Sequence, residues 1–248
     1  MEYPIIETVD KFYKDLKRDK NHRYMSWVHC FNSFQQTKQT NNEEYIDYLS
    51  LQLAFYLASW GMIRGSTGLL WKDYKIHQNT VKIILKQEYD EIRYSSDKEI
   101  GNKQIELIIN AKDEITKYYE KVEYIKPTKN GEPESDKLPT ITPTDTLISK
   151  ILLGTLGCLP AYDRYLLDGL RVKEIKQPLI KGSYINQKSL TNLLNFVSIN
   201  NNISAFQEVQ HTINKIQNGF YYPIMKIVDM YLWEVGRQIE KTKINNGI

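Results

Sequence analysis

The segment PTDTLISKILLGTLGCLPAYDRYLLDGL, from Pro143 to Leu170, constrains this chain more than any other stretch, because it holds one acidic residue, Asp163, between two apolar helical patterns. Leu147, Ile148, Ile151, Leu152 and Leu156 recur at the three-and-four spacing of a core-facing helix. Pro143 suits its start, and Gly154 and Gly157 suit its end. After the turn and Pro160 comes Ala161-Tyr162-Asp163-Arg164-Tyr165, followed by a second short helix with Leu166, Leu167 and Leu170 on its buried side. Asp163 therefore stands at a helix N-terminus flanked by apolar surface. Such an aspartate most often caps the helix, its side chain accepting a backbone N–H. The same position also suits a carboxylate presented to a ligand.

Helical periodicity extends over almost the whole chain. Ile5, Ile6, Val9, Phe12, Tyr13 and Leu16 mark a first amphipathic helix, and Tyr24, Trp27, Val28, Phe31 and Phe34 a second. Asn41 with Glu44 resembles a capping box opening a third. That helix is apolar on most sides from Leu49 to Met62, which predicts the central helix of the domain. Further helical patterns run through Tyr74 to Tyr89, Ile100 to Tyr119, Gln187 to Val197, Ser204 to Gln217 and Pro223 to Lys241. No sustained period-two alternation is present, so the expected fold is all-α, with about nine or ten helices and little or no sheet. Residues 126–143, KPTKNGEPESDKLPTITP, have the prolines, glycine and mixed charge of an exposed linker. They divide an N-terminal helical lobe, 1–125, from a C-terminal lobe, 144–248, as two lobes of one composite domain or as separate halves.

Composition narrows the function classes. With 41% hydrophobic and 25% charged residues the chain has the profile of a soluble globular protein rather than a disordered one. No apolar run reaches the roughly 20 residues a membrane span needs, and the N-terminal segment is charged from its first turns, so a cytoplasmic location is expected. Two cysteines, Cys30 and Cys158, are too few for a zinc or iron–sulfur site and read as buried small apolar residues. Net charge is only +3, so any polyanion partner must be met by a local patch. Arg171, Lys173, Lys176, Lys181 and Lys188, opposed only by Glu174, form such a surplus and fit phosphate contacts, although a lysine-rich surface also produces such clusters by chance. Eighteen tyrosines against seven phenylalanines offer flat hydrogen-bonding faces, many of them at core spacing.

An apolar helix closed by a small-residue turn, then Pro, an aromatic residue, Asp, a polar pair and a further helix resembles the helix-hairpin-helix DNA glycosylases over about residues 138–170. In that family the Asp is catalytic. The resemblance thus implies that Asp163 assists excision of a damaged or modified nucleobase from DNA, in repair or in antiphage defence, with no metal or cofactor. It further implies that Tyr162 or Tyr165 shapes a base pocket together with Lys150 and Arg164. The hairpin position holds Leu138-Pro139-Thr140-Ile141-Thr142-Pro143-Thr144, without the family's glycines. Asp145 and Thr146 stand where lyase-type members carry a nucleophilic lysine, which implies a monofunctional enzyme. The pairing of LAFYLASWGM with TLGCLPAYDRY is also similar to a family of helical bacterial proteins, a likeness that brings no activity with it.

A second constellation is Trp60-Gly61-Met62-Ile63-Arg64-Gly65-Ser66-Thr67. Arg64 leaves the end of the most apolar helix, and with Ser66 it has the chemistry to hold a phosphate or carboxylate. Equally, Arg64 can cap the helix or pair with a structural acid. A helical ribonuclease motif of Arg, four to six residues and His does not fit, since Arg64 and His77 are too far apart. Two function classes remain: a nucleobase-excising enzyme, and a non-catalytic helical protein that binds nucleic acid or protein. The sequence leaves the oligomeric state open.

Overall fold

A computed structural model describes residues 3–19, 21–36, 42–93, 101–126, 137–172, 183–216 and 220–245. Within them the fold is all-α, with ten α-helices: α1 (Ile5–Arg18), α2 (Met25–Gln35), α3 (Glu43–Ser59), α4 (Gln78–Ile84), α5 (Asn102–Tyr119), α6 (Asp145–Thr155), α7 (Arg164–Gly169), α8 (Gln187–Ser198), α9 (Asn200–Ile216) and α10 (Ile224–Asn245). None of the described helices is long and apolar enough to cross a membrane.

The central helix is α10 rather than α3. Met225 to Gly236 are buried without interruption, and α1, α7 and α9 surround them. Burying one large aliphatic or aromatic side chain contributes about 1.5–3 kcal/mol, so a helix buried on every face anchors the fold. In α3, by contrast, Ile46, Leu49, Leu53, Tyr56 and Leu57 face the core while Tyr48, Leu51 and Phe55 are exposed. Its all-round apolar character therefore combines one core face with one exposed apolar stripe. Asn42 caps this helix by accepting the Tyr45 N–H at 2.7 Å, and Asn41 lies outside the described residues. The region from Tyr74 to Tyr89 is broken: α4 is flanked by 3₁₀ turns at Tyr74–His77 and Gln87–Glu91.

The expected linker leaves and returns at one place. Tyr124 N–H bonds the Pro139 carbonyl at 3.0 Å and Ile141 N–H the Val122 carbonyl at 2.9 Å, a single antiparallel bridge with no sheet around it. Residues 127–136 lie outside the described residues. Helices from both sides of this excursion share one apolar core: α2 and α3 pack on α6, α5 on α8, and α1 on α10. The Trp27 indole N–H reaches across to the Leu153 carbonyl at 3.0 Å.

Two features of the C-terminal half determine where Asp163 sits. Gly157, at φ +66°, ends α6 in the left-handed conformation and bonds back to the Leu152 carbonyl at 2.9 Å, as in Schellman-type ends. Gly154, the other expected stop, remains inside the helix. Beyond the turn, α7 crosses α10 with backbones in contact. A methyl group at Gly169 would lie 2.3 Å from the Leu232 carbonyl oxygen, and one at Gly236 would lie 1.9 Å from that of Tyr165. Only glycine permits that approach.

Candidate functional site

Asp163 ends an extended segment whose neighbours are held by side chains from two helices. Tyr162 N–H donates to Ser149 Oγ at 2.9 Å, Thr146 Oγ1 donates to the Tyr162 carbonyl at 2.8 Å, and Ala161 N–H donates to Asp229 Oδ1 at 2.9 Å. Asp163 then divides its carboxylate between two tasks. Oδ1 accepts the Leu166 N–H at 3.1 Å and caps α7, and Oδ2 faces the Lys150 ammonium at 3.4 Å. One oxygen thus serves the helix, as the capping reading has it, and the other belongs to a charged cluster.

Lys150 is 3% exposed and Asp163 19%. Lys150 comes from the middle of α6, on the face where apolar periodicity would place a core residue, so its charge must be met inside the protein. Its ammonium lies 4.8 Å from the centre of the Trp60 ring, a cation–π contact that adds to the pairing with Asp163. Burial pushes the Asp163 carboxyl above the usual carboxylate range, against the opposing pull of Lys150, and Asp229 pushes it further up. Burial likewise lowers Lys150, against the attraction of Asp163 and Asp229. Desolvation outweighs mutual attraction at both ends.

A second ion pair, unforeseen from the sequence, adjoins the first. Lys226 and Asp229, both buried on α10, meet at 2.7 Å, and Lys226 also lies 5.0 Å from the Trp27 ring and 5.8 Å from that of Trp60. The signal was present: IMKIVDMYLWEV carries one cation and one anion three apart in an otherwise apolar run that ends in Glu234. Aromatic rings roof this cluster. Phe12, Tyr24 and Trp60 stack in sequence, with centroids 4.8 and 5.1 Å apart, and Trp233 meets Phe12, Tyr24 and Tyr165 edge-on. Tyr24, Trp60 and Tyr165 are half-buried, so part of the roof is open to solvent. Arg23, exposed, lies over both Tyr24 and Trp60.

The remaining sequence-derived candidates are scattered. Tyr162 is wholly buried and stacks on Tyr184, so it contributes through its backbone. The Tyr165 hydroxyl donates to Glu240 at 2.7 Å, and Arg164 pairs with the same carboxylate at 2.7 Å. Arg64 is exposed rather than buried, and its Nε donates to the Gly61 carbonyl, the geometry of a helix-end cap. Ser66 is exposed in the following 3₁₀ turn. No contact joins Arg64 or Ser66 to Asp163. Arg171 is exposed and paired with Asp168 at 2.8 Å, Lys188 is exposed on α8, and Lys173, Lys176 and Lys181 lie outside the described residues. Cys30 and Cys158 are free and buried, as expected for small apolar residues.

Two surface cavities lie apart from Asp163. One, of about 650 Å³, is lined by Gln207, Gln210, His211, Asn214, Lys215 and Tyr221. The other, of about 530 Å³, lies between the start of α1 and the α8–α9 junction. Among the described residues no group of three His, Cys, Asp or Glu is arranged to hold a metal ion. Comparison with protein-family models, curated proteins and solved structures finds no match for this chain.

Proposed function

We propose that this protein hydrolyses the N-glycosidic bond of a damaged or modified nucleobase in DNA, with Asp163 as the carboxylate that faces positive charge developing on the sugar. One observation carries the reading: a preorganised, partly open carboxylate is fixed by the Leu166 N–H and by buried Lys150, whose ammonium lies against the half-buried Trp60 ring. In this scheme Lys150 keeps Asp163 ionised against the effect of its burial. Trp60 and Tyr165 supply flat apolar surface for the extruded base, and Arg23 and Arg171 supply charge for the backbone. Because the Lys150 ammonium is committed to Asp163, it acts without forming a covalent adduct.

The test uses duplex and single-stranded oligonucleotides bearing alkylated, oxidised and deaminated bases, with abasic product revealed by alkaline cleavage. Asp163→Asn keeps an oxygen for the Leu166 N–H and removes the charge, so it should stay folded, bind DNA and lose at least a hundredfold in excision. Borohydride should trap no protein–DNA adduct. Unchanged excision by this variant would exclude Asp163 from the chemistry, and no excision of any substrate by the wild-type protein would exclude the reaction. A second reading, a non-catalytic helical protein of a bacterial defence or toxin system, draws on the capping geometry of Asp163 and Arg64. It predicts nucleic-acid or protein binding that Asp163→Asn leaves intact, with no base loss.

A further inference from the structure

The segment that delivers Asp163 is tied to α10 by the bond from Ala161 N–H to Asp229 Oδ1 at 2.9 Å. A neutral amide would satisfy that N–H equally well. The chain instead places an aspartate in the buried stretch of α10 and offsets its charge with Lys226, at 2.7 Å. Two buried ions are costly to desolvate, and such pairs seldom add net stability over apolar residues of similar size. What the arrangement adds is position. The Lys226 ammonium holds Oδ2, the carboxylate plane is thereby set, and Oδ1 meets Ala161 two residues before Asp163. Ser149 and Thr146 grip Tyr162 from α6, so the segment is clamped from both sides.

We propose that Asp229, oriented by Lys226, is a positioning residue that sets where the Asp163 carboxylate stands relative to Lys150 and the aromatic roof. The proposal rests on the reading of Asp163 as the reacting carboxylate, and it predicts a positional effect that is measurable without activity. Removing Asp229 alone would strand the Lys226 charge in the core, so the comparison uses two double variants of the full chain. Asp229→Asn with Lys226→Gln removes both charges and keeps an acceptor for Ala161. Asp229→Ala with Lys226→Gln removes the acceptor as well.

Amide hydrogen exchange at Leu166, which reports the Asp163 cap, is referenced to the Leu232 amide in α10. The Ala-containing variant should show at least tenfold less protection at Leu166 than the Asn-containing one, with Leu232 alike in both. On an excised oligonucleotide, kcat should fall at least tenfold between the same two variants at similar KM. Equal Leu166 protection in both, or a parallel fall at Leu166 and Leu232, would overturn the proposal. Absence of excision by the wild-type protein would overturn the assigned reaction, and the Leu166 comparison would still decide whether Asp229 positions the carboxylate.

Discussion

Gly236→Ala should be among the most damaging single-methyl changes in this protein. The added carbon would lie 1.9 Å from the Tyr165 carbonyl oxygen, 2.6 Å from its carbon and 2.9 Å from its Cα. Carbon–oxygen contacts settle at about 3.3–3.6 Å, so α7 must retreat from α10 by roughly 1.4 Å or more. A gap of ~0.5–1 Å already forfeits a quarter to a half of the dispersion attraction across an interface, and overpacking costs about 1–3 kcal/mol, at times more. Because backbone rather than a flexible side chain blocks the methyl group, the upper end applies, ~3–4 kcal/mol. Alanine's better helix propensity returns about 1 kcal/mol, leaving a net loss of ~2–3 kcal/mol. For a chain of this size that lowers Tm by about 5–10 °C. Urea denaturation would read the loss as a lower midpoint at unchanged slope. Gly65→Ala is the control, since its methyl group would meet nothing closer than 3.7 Å. Wild-type stability for Gly236→Ala would refute the close crossing, and with it the account of how α7 is held.

Three further outcomes are expected. Buried His77, bonded through Nδ1 to the Tyr119 hydroxyl at 2.6 Å, is lowered by burial from 6.5 to about 4. The unfolded chain therefore takes up its proton first. Stability should be complete above about pH 6.5 and fall by about 3 kcal/mol on acidification to about pH 4, a slope absent in His77→Gln; an identical slope in the variant would assign the effect elsewhere. Lys150→Met should cost about 3 kcal/mol by leaving Asp163 uncompensated. Adding Asp163→Asn should restore most of that loss, whereas additive losses in the double-mutant cycle would show the pair to be uncoupled. Arg64→Gln should change stability by no more than about 0.5 kcal/mol in thermal melts, because the guanidinium is exposed and, among the described residues, bonds within its own turn; a loss of several kcal/mol would reveal a buried partner.

Element type was legible wherever apolar residues recur at helical spacing. The Ile100–Tyr119 pattern is α5, Gln187–Val197 is α8, and the pattern after Pro223 is α10. Asp163 at a helix N-terminus was legible too, because capping involves residues only three apart. Errors arose where several local solutions compete. Two asparagines adjoin at the start of α3, and the described one that caps it is Asn42. From Tyr74 to Tyr89 the periodicity continues while the backbone tightens into 3₁₀ turns on either side of α4.

Local spacing also specifies that α3 and α10 are both rich in apolar residues, and it contains nothing that ranks them. Their ranks follow from packing: glycines at 169 and 236 let α7 press onto α10 and bury it, while α3 keeps Phe55 and Leu51 outside. The charged cluster has the same origin. Lys150, Asp163, Lys226 and Asp229 come from three helices, and nothing in their local spacing says that they meet. They meet only because the Gly157 turn folds α7 back and the α7–α10 crossing brings backbones into contact. Periodicity and capping act over three or four residues, and the sequence shows them directly. Burial of a charge, and hence the shifted proton affinities of Asp163 and Lys150, depends on which helices exclude water together.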